Sequence, residues 1–286
     1  MARSKQRRYD WVTFTSDYGF DDVFVGVCKG VVARIAPDVS IIDVCHLVTA
    51  HDVGQGANSL AAAAPYLPVA VNLALVDPMS GESARGIVVE TNDDSLFVGP
   101  DNGLLSLAWE HRGGVRRAVE VADPSLWLET VHKTFRGRDV FAPVAAHLAA
   151  GRVLEDVGPR LDAASLVRID MREVVNHDDH VHAEVRVVDH FGNVSLNANR
   201  ADLEAAGIRF GDTVELRVGG RAVAVPFTPT YGDVPRGRLT LCEDSFRAIM
   251  LSVNAGDASK ELRVRRGEAV VISRVPQPVA RTAGVS

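Results

Sequence analysis

The sequence predicts an α/β protein in two parts: an N-terminal, mostly parallel α/β domain and a C-terminal, antiparallel, β-barrel-like domain. Three observations carry this. Apolar β-rich runs alternate with helical stretches up to Val76, an order that demands crossover connections and so a parallel sheet. After about Arg168 the pattern changes to short alternating segments separated by Gly/Asn/Asp turns, the mark of a small sandwich or barrel. And 286 residues, with 47% hydrophobic and 24% charged content, give an ordinary globular composition with room for two cores. The expected boundaries are 1–172 for the first domain, 173–181 for a linker, 182–275 for the second domain and 276–286 for a disordered tail.

Each element has a local reason. Trp11 to Thr15 is β-branched and aromatic, and Ser16-Asp17-Tyr18-Gly19 closes that strand. From Asp22 to Ala36 the apolar residues Val23, Val27, Val31 and Ile35 recur every four positions, as on one helix face, and Pro37 stops the helix. Val39 to Val44 reads as a second strand. Asp52 to Tyr66 is Ala-rich and helical, with Asp52 as N-cap. Val71 to Val76 is an apolar run of buried-strand length. Gly86–Thr91 and Ser95–Val98 flank the turn residues Asn92-Asp93-Asp94, and Gly99-Pro100-Asp101-Asn102-Gly103 is a dense turn cluster. Leu104 to Glu110 reads as a short helix, and Asp139 to Ala150 as a longer one with Gly151 at C′. In the second half, Ala183–Val188, Thr213–Val218 and Ala269–Ile272 alternate as strands do.

Charge and cysteine usage exclude several classes. A formal net charge of −6 argues against a nucleic-acid or anionic-membrane surface. The basic start, Arg3 to Arg8, is followed by no apolar signal-peptide core, and no run approaches the roughly 20 apolar residues that span a bilayer. Cys28, Cys45 and Cys242 are odd in number and form no C-x-x-C pair, which fits a reducing, cytoplasmic location and a role as small core residues.

Candidate site residues cluster at predicted strand ends. Asp17 and Asp77 each follow an apolar run, where ligands bind in open parallel sheets; a carboxylate there can hold ribose hydroxyls or position a nucleophile, or simply cap a helix. Asp189-His190-Phe191-Gly192-Asn193 follows a β segment: Phe191 could stack on a ring and Asn193 pair with a polar edge, or the stretch could be only a turn. Ser245-Phe246 and Asn254-Ala255 flank the apolar Ala248–Val253. His177, His180 and His182 with Asp178 and Asp179 match no closed zinc set and read as solvated linker, so no metal is expected. P-loop, G-x-G-x-x-G and G-x-S-x-G motifs are absent, against P-loop NTPases, standard nicotinamide dehydrogenases and α/β-hydrolases.

Taken in order, these stretches resemble a known family. Thr15-Ser16-Asp17-Tyr18-Gly19 with Cys28-Lys29-Gly30, Ile42-Asp43-Val44-Cys45-His46, Val76-Asp77-Pro78, Gly99 to Leu105 and Gly137-Arg138-Asp139-Val140-Phe141-Ala142-Pro143 are similar to the S-adenosylmethionine (SAM) hydroxide adenosyltransferases, the adenosine-forming SAM hydrolases related to the fluorinase and chlorinase. Phe191-Gly192-Asn193-Val194 and Asn254-Ala255-Gly256 extend the likeness, which covers roughly residues 10 to 275. The resemblance implies a homotrimer, SAM as substrate and no cofactor. It implies that Asp17 holds the ribose hydroxyls, that Asp189, Phe191, Asn193, Ser245 and Phe246 surround SAM, and that Asn254 and Ala255 lie at the adenine edge. Halogenating relatives carry tyrosine at the position of Asp77, whereas the hydrolases carry aspartate, so Asp77 implies water as nucleophile.

The pattern also departs from that family. The hydrolases carry an arginine seven residues after the aspartate and a histidine just before Gly-Arg-Asp. Here those positions are Ala84, with Arg85 one later, and Arg136. Ser80 supplies a hydroxyl where the fluorinase has one, and His132 lies four residues from the missing histidine. The reading is a SAM hydrolase with Asp77 orienting water and Arg85 and Arg136 assisting. Adenosyl transfer to a halide or other anion, and an impaired SAM- or adenosine-binding protein, are the alternatives.

Overall fold

A computed structural model describes residues 8–76, 85–170 and 172–275, so the expected sites Asp77 and Ser80, and the tail 276–286, lie outside the described residues. The chain forms two compact units that divide after Asp170.

The first unit is built on β1 (Trp11–Ser16), α1 (Phe24–Ile35), β2 (Ser40–Cys45), α2 (Val53–Ala63), β3 (Val71–Leu75), β4 (Gly86–Thr91), β5 (Leu96–Pro100), α3 (Ser106–His111), β6 (Val115–Glu120), α4 (Ala142–Ala149) and β7 (Arg160–Leu161). Its sheet runs β2-β1-β3-β5-β4-β6-β7. The pairs β1–β2, β1–β3 and β3–β5 are parallel, and the remaining pairs are antiparallel. Successive side chains of a strand point to opposite faces, and β3 uses both. Val71, Leu73 and Leu75 join Val12, Phe14, Cys28, Val32 and α4 in one core, while Ala74 and Val76 join Leu60, Phe97, Leu104, Leu105 and Trp109 in the other. A strand buried on both faces has to be a continuous apolar run, which is why it stands out in the sequence.

Asp52 caps α2 as expected, its Oδ1 accepting the Gln55 amide at 2.9 Å. The helix expected from Asp139 begins earlier, as a π-turn over Gly137–Phe141 that runs into α4. Strands β6 and β7 were not among the expected elements. β6 reads Val-Arg-Arg-Ala-Val-Glu, and its arginines hide it: Arg117 lies opposite Glu90 of β4 and is paired with it.

The second unit contains β8 (Val175–Asn176), β9 (His180–Val188), β10 (Val194–Asn199), α5 (Arg200–Ala205), β11 (Thr213–Val218), β12 (Arg221–Pro226), β13 (Leu239–Glu243), β14 (Ala248–Val253), α6 (Ala258–Leu262) and β15 (Ala269–Arg274). The strands follow the order β12-β11-β15-β9-β10-β14-β13, all antiparallel, with β8 paired on β9. The two edge strands come together through the Phe227–Leu241 bridge and the Thr228 amide on the Leu241 carbonyl, so the sheet is nearly closed and its edges are covered. The stretch 173–181, expected as a linker, carries β8 and the start of β9, in register Val175↔His182 and Asn176↔Val181. Among the described residues, no helix is long and apolar enough to cross a membrane.

A polar chain, buried at Ser16 and His46 and open to solvent at Asp43 and Lys29, ties the end of β1 to the end of β2. Ser16 Oγ lies 2.7 Å from His46 Nδ1, His46 Nε2 lies 3.1 Å from Asp43 Oδ1, and Lys29 Nζ reaches Asp43 Oδ2 at 2.9 Å. Asp43 accepts only, so Nε2–H donates to it and Nδ1 accepts the Ser16 hydroxyl. Burial pushes the His46 pKa below its ordinary value, with Asp43 opposing that shift. Asp43 itself is held below the usual carboxylate range: burial works against ionisation, and the bonds from Lys29 and His46 outweigh it.

The neutral imidazole has a consequence for stability. Because the folded pKa lies below the unfolded one, His46 supports the fold fully above the unfolded value and loses that support as pH falls through the folded one. His147, also lowered by burial, acts with the same sign. The melting temperature should therefore fall as pH drops below about 6.5. His46→Gln should flatten part of that fall and cost roughly 1–3 kcal/mol near neutral pH by denaturant titration, because it leaves buried Ser16 without its acceptor.

Candidate active site

The strands β2, β1, β3 and β5 run parallel, so their carboxyl ends share one edge of the sheet, where open α/β sheets bind ligands. Asp17 stands there, directly after β1. Its side chain is only 8% exposed, and Oδ2 accepts the His51 amide at 2.9 Å, with the His51 ring 4.0 Å away. His51 reaches that position with φ at 66°, in the left-handed region. Next to Asp17, Tyr18 packs edge-on to Phe135 at 5.7 Å and against Phe24 at 5.9 Å. A Cβ at Gly137 would sit 2.1 Å from the Tyr18 hydroxyl, so a larger residue there would have to displace the Tyr18 ring.

The end of β3 is held by the turn cluster 99–103. Asn102 Nδ2 donates to the Val76 carbonyl at 2.8 Å, and its Oδ1 accepts the Leu104 amide at 3.1 Å. A Cβ at Gly99 would lie 2.4 Å from the Ala74 carbonyl oxygen, so β5 could not close on β3 with any other residue there. Gly103 has φ of 93°. The residue after Val76 is Asp77, so this cluster fixes the peptide carbonyl that precedes the expected catalytic carboxylate.

Arg85 is committed to the same cluster. Its Nε donates to Asp101 Oδ2 at 2.8 Å, and its Nη2 reaches the Ser165 carbonyl at 2.9 Å and hydroxyl at 3.1 Å. The Asp101 side chain is 3% exposed and also accepts the Val167 amide at 2.8 Å. Arg136 sits elsewhere, with its guanidinium 5.2 Å from the Phe141 ring centre. Phe141 in turn packs where a Gly86 Cβ would be, and a Cβ at Gly137 would be 3.1 Å from Leu75. Arg136 thus adjoins Gly137, which approaches Leu75 of β3, and rests on Phe141, which approaches Gly86 of β4. His132 is engaged by Asp139, whose Oδ2 accepts its amide at 2.8 Å and lies 3.1 Å from its Nδ1. Burial opposes the ionisation of Asp139, but the bonds from Arg138 and His132 prevail and keep its pKa low.

In the second unit, Asp189 builds the turn expected as a site. Its Oδ1 accepts the amides of Phe191 and Asn193, both at 2.9 Å, and Oδ2 accepts Asn193 Nδ2 at 2.8 Å. Ser252 donates to Asn193 Oδ1 at 2.6 Å, which brings the turn to the end of β14 beside Asn254. Phe191 is left 74% exposed at the tip. Asn254 Nδ2 donates to the Val234 carbonyl at 2.6 Å, and Ala255 takes a left-handed φ of 57°. Ser245 and Phe246 lie at the opposite end of β14, where Asp244 Oδ1 accepts the Phe246 and Ala248 amides. The two sets are therefore separated by the length of β14, six residues or about 17 Å at roughly 3.3 Å per residue. One ligand meets both only if it lies along β14.

Ser16, His46, Asp101 and Asn102 are the positioning residues that reading the sequence did not single out. Asp101 and Asn102 were visible as turn formers, but their partners, Arg85 and the Val76 carbonyl, lie 16 and 26 positions away. Cys28 is excluded as a nucleophile, since burial pushes its thiol up to about 12.

Comparison with known proteins places the chain in a family. The SAM hydroxide adenosyltransferase N-terminal domain matches residues 12–158, and the C-terminal domain of the same family matches residues 183–271. An (R)-S-adenosyl-L-methionine hydrolase of Salinispora tropica is 45% identical over 260 residues, spanning 90% of this chain and 95% of that protein. A fluorinase of Nocardia brasiliensis is 32% identical over 250 residues, spanning 78% of this chain and 82% of its own. The crystal structure of an uncharacterized conserved protein from Thermotoga maritima superposes with a TM-score of 0.86 at 38% identity, covering 92% of this chain and all of that one. The chain belongs to the SAM hydroxide adenosyltransferase family.

Proposed function

We propose that the protein cleaves SAM with water at the 5′ carbon of the ribose, releasing adenosine and L-methionine. The observation that carries this is the pairing of two strand ends. Ser16 is in register with Leu75, and the Asp17 amide reaches the Leu75 carbonyl at 3.4 Å, so β1 and β3 end side by side at Asp17 and Val76. One carboxylate binds the ribose hydroxyls and the other, Asp77, orients water. In the displacement the oxygen of water forms a bond to C5′ as the C5′–S bond breaks. Sulfur keeps the electron pair and leaves as the neutral thioether of methionine, and the water proton passes to Asp77 and then to solvent. The sulfonium is its own electrophile, so we propose no cofactor.

Arg136 supplies the cation in this reading. Arg85 serves as a positioning residue, because releasing it would strand the buried Asp101 carboxylate, a loss on the order of 3–5 kcal/mol. The names of the hydrolase relatives specify the (R) form of SAM, and we propose that epimer as substrate. Ser245 and Phe246 at one end of β14, and Asn193, Asn254 and Ala255 at the other, suit an elongated ligand with methionine and adenine at its two ends. Ser80 supports a second reading, transfer to halide, as does the fluorinase similarity. With Arg85 occupied, less positive charge is available to hold an anion. We further propose a homotrimer in the cytoplasm, as the family resemblance and the three free cysteines suggest.

In oxygen-18 water with chloride, bromide or fluoride present, each sulfonium epimer of SAM should be tried in turn. The expected product by mass spectrometry is adenosine labelled at O5′, faster from the (R) epimer. Unlabelled adenosine sinks the hydrolase reading, and a 5′-halo product replaces it with the halogenase. Asp77→Asn should lower kcat by about 10²–10⁴-fold with KM little changed, as loss of a general base does. Asp17→Asn should instead act mainly on KM, lowering kcat/KM about 10–100-fold in steady-state assays, as loss of a charged hydrogen-bond acceptor does.

A further inference from the structure

The hairpin of β8 and β9 brings three imidazoles together. The His177 amide donates to the His180 carbonyl at 2.9 Å, so these two residues face each other across the turn Asp178-Asp179. His182 is two residues along β9 and therefore on the same face as His180, while Val181 and Ala183 point into the core. The rings of His177 and His180 are stacked at 4.3 Å, and His182 lies 5.3 Å and 5.1 Å from them. One nitrogen from each ring falls within 4.8 Å of the other two.

We propose that His177, His180 and His182 form a binding site for a divalent transition metal ion of the zinc class. Three neutral imidazoles suit zinc, nickel, copper or cobalt and not the hard ions magnesium and calcium. In a tetrahedral zinc site with bonds of about 2.0–2.1 Å, ligand nitrogens stand about 3.3 Å apart. The rings must therefore close by no more than about 1.5 Å. His177 and His182 are exposed and half-exposed His180 stands between them, so small side-chain rotations can do this without moving the sheet. Asp179 already holds one ring as ligating histidines are usually held. Its Oδ1 lies 2.6 Å from His180 Nδ1, which orients the ring and leaves Nε2 for the metal. The opposite edge of β9 is pinned by β15, with Val271 opposite His182 and Ser273 opposite His180, so the ligand-bearing strand is rigid. The remaining positions on the ion go to water. Bound metal would clip β8, two residues long, to the barrel.

The untagged full-length protein, stripped with chelator and dialysed against micromolar zinc, should retain one zinc per chain by elemental analysis and melt at a higher temperature than without zinc. His177→Gln and His182→Gln, both at exposed positions, should each bind zinc about ten-fold or more weaker and lose the thermal shift. Absence of zinc from the wild-type protein overturns the site. So does equal retention by both variants, which would place the metal elsewhere, the cysteines included. Should a variant fail to fold, diethyl pyrocarbonate modification of the wild-type protein decides the matter. Zinc should protect His177, His180 and His182, and equal modification with and without zinc overturns the proposal.

Discussion

The hydrogen bond from Asn102 to the Val76 carbonyl is the constraint on which the carboxyl edge of the parallel sheet depends. A strand that ends at a site needs its last peptide held, or the residue after it has no defined position. Here one side chain, itself braced by the Leu104 amide, holds that peptide. The brace works only because Gly99 lets β5 approach β3 to backbone contact and Gly103 turns left-handed beyond it. A cluster of turn residues thus acts as the clamp on the neighbouring strand.

Charge is distributed by the same logic. One arginine follows an altered family position and another occupies one, yet they do different work. Arg85 satisfies Asp101, a carboxylate too buried to stand alone, and so becomes part of the clamp. Arg136 rests on the Phe141 ring instead, next to Gly137, where the aromatic group of Tyr18, Phe24 and Phe135 gathers. Removing a charge from the reaction's surroundings by pairing it elsewhere bears on which nucleophile the site admits, because an anionic nucleophile gains more from a nearby cation than water does.

The second unit repeats one device. Asp189, Asp244 and Asp257 each turn a carboxylate back onto following backbone amides, Asp257 as the N-cap of α6, and the tight turns at Asp189 and Asp244 leave neighbouring side chains outward. Phe191 and Phe246 are exposed for this reason. Gly192 completes the first turn, since a Cβ there would meet the Asp257 carboxylate at 2.2 Å.

The sequence by itself determined the α/β-then-β order, because period-2 and period-4 apolar patterns are local and β3 is buried on both faces. It also displayed the family motifs around Asp17, Asp77 and Gly137-Arg138-Asp139, since turn and strand-end chemistry needs particular residue types at particular places. β6 stayed hidden because its arginines pair with Glu90 on another strand, a contact no local pattern encodes. The clamp at Asn102, the diversion of Arg85 and the Ser16–His46–Asp43 chain were decided only by the tertiary structure. So was the gathering of three histidines in a stretch that reads as linker. In each case the partner lies on another strand or across a turn, so that distance in space, not spacing in the chain, sets what the side chain does.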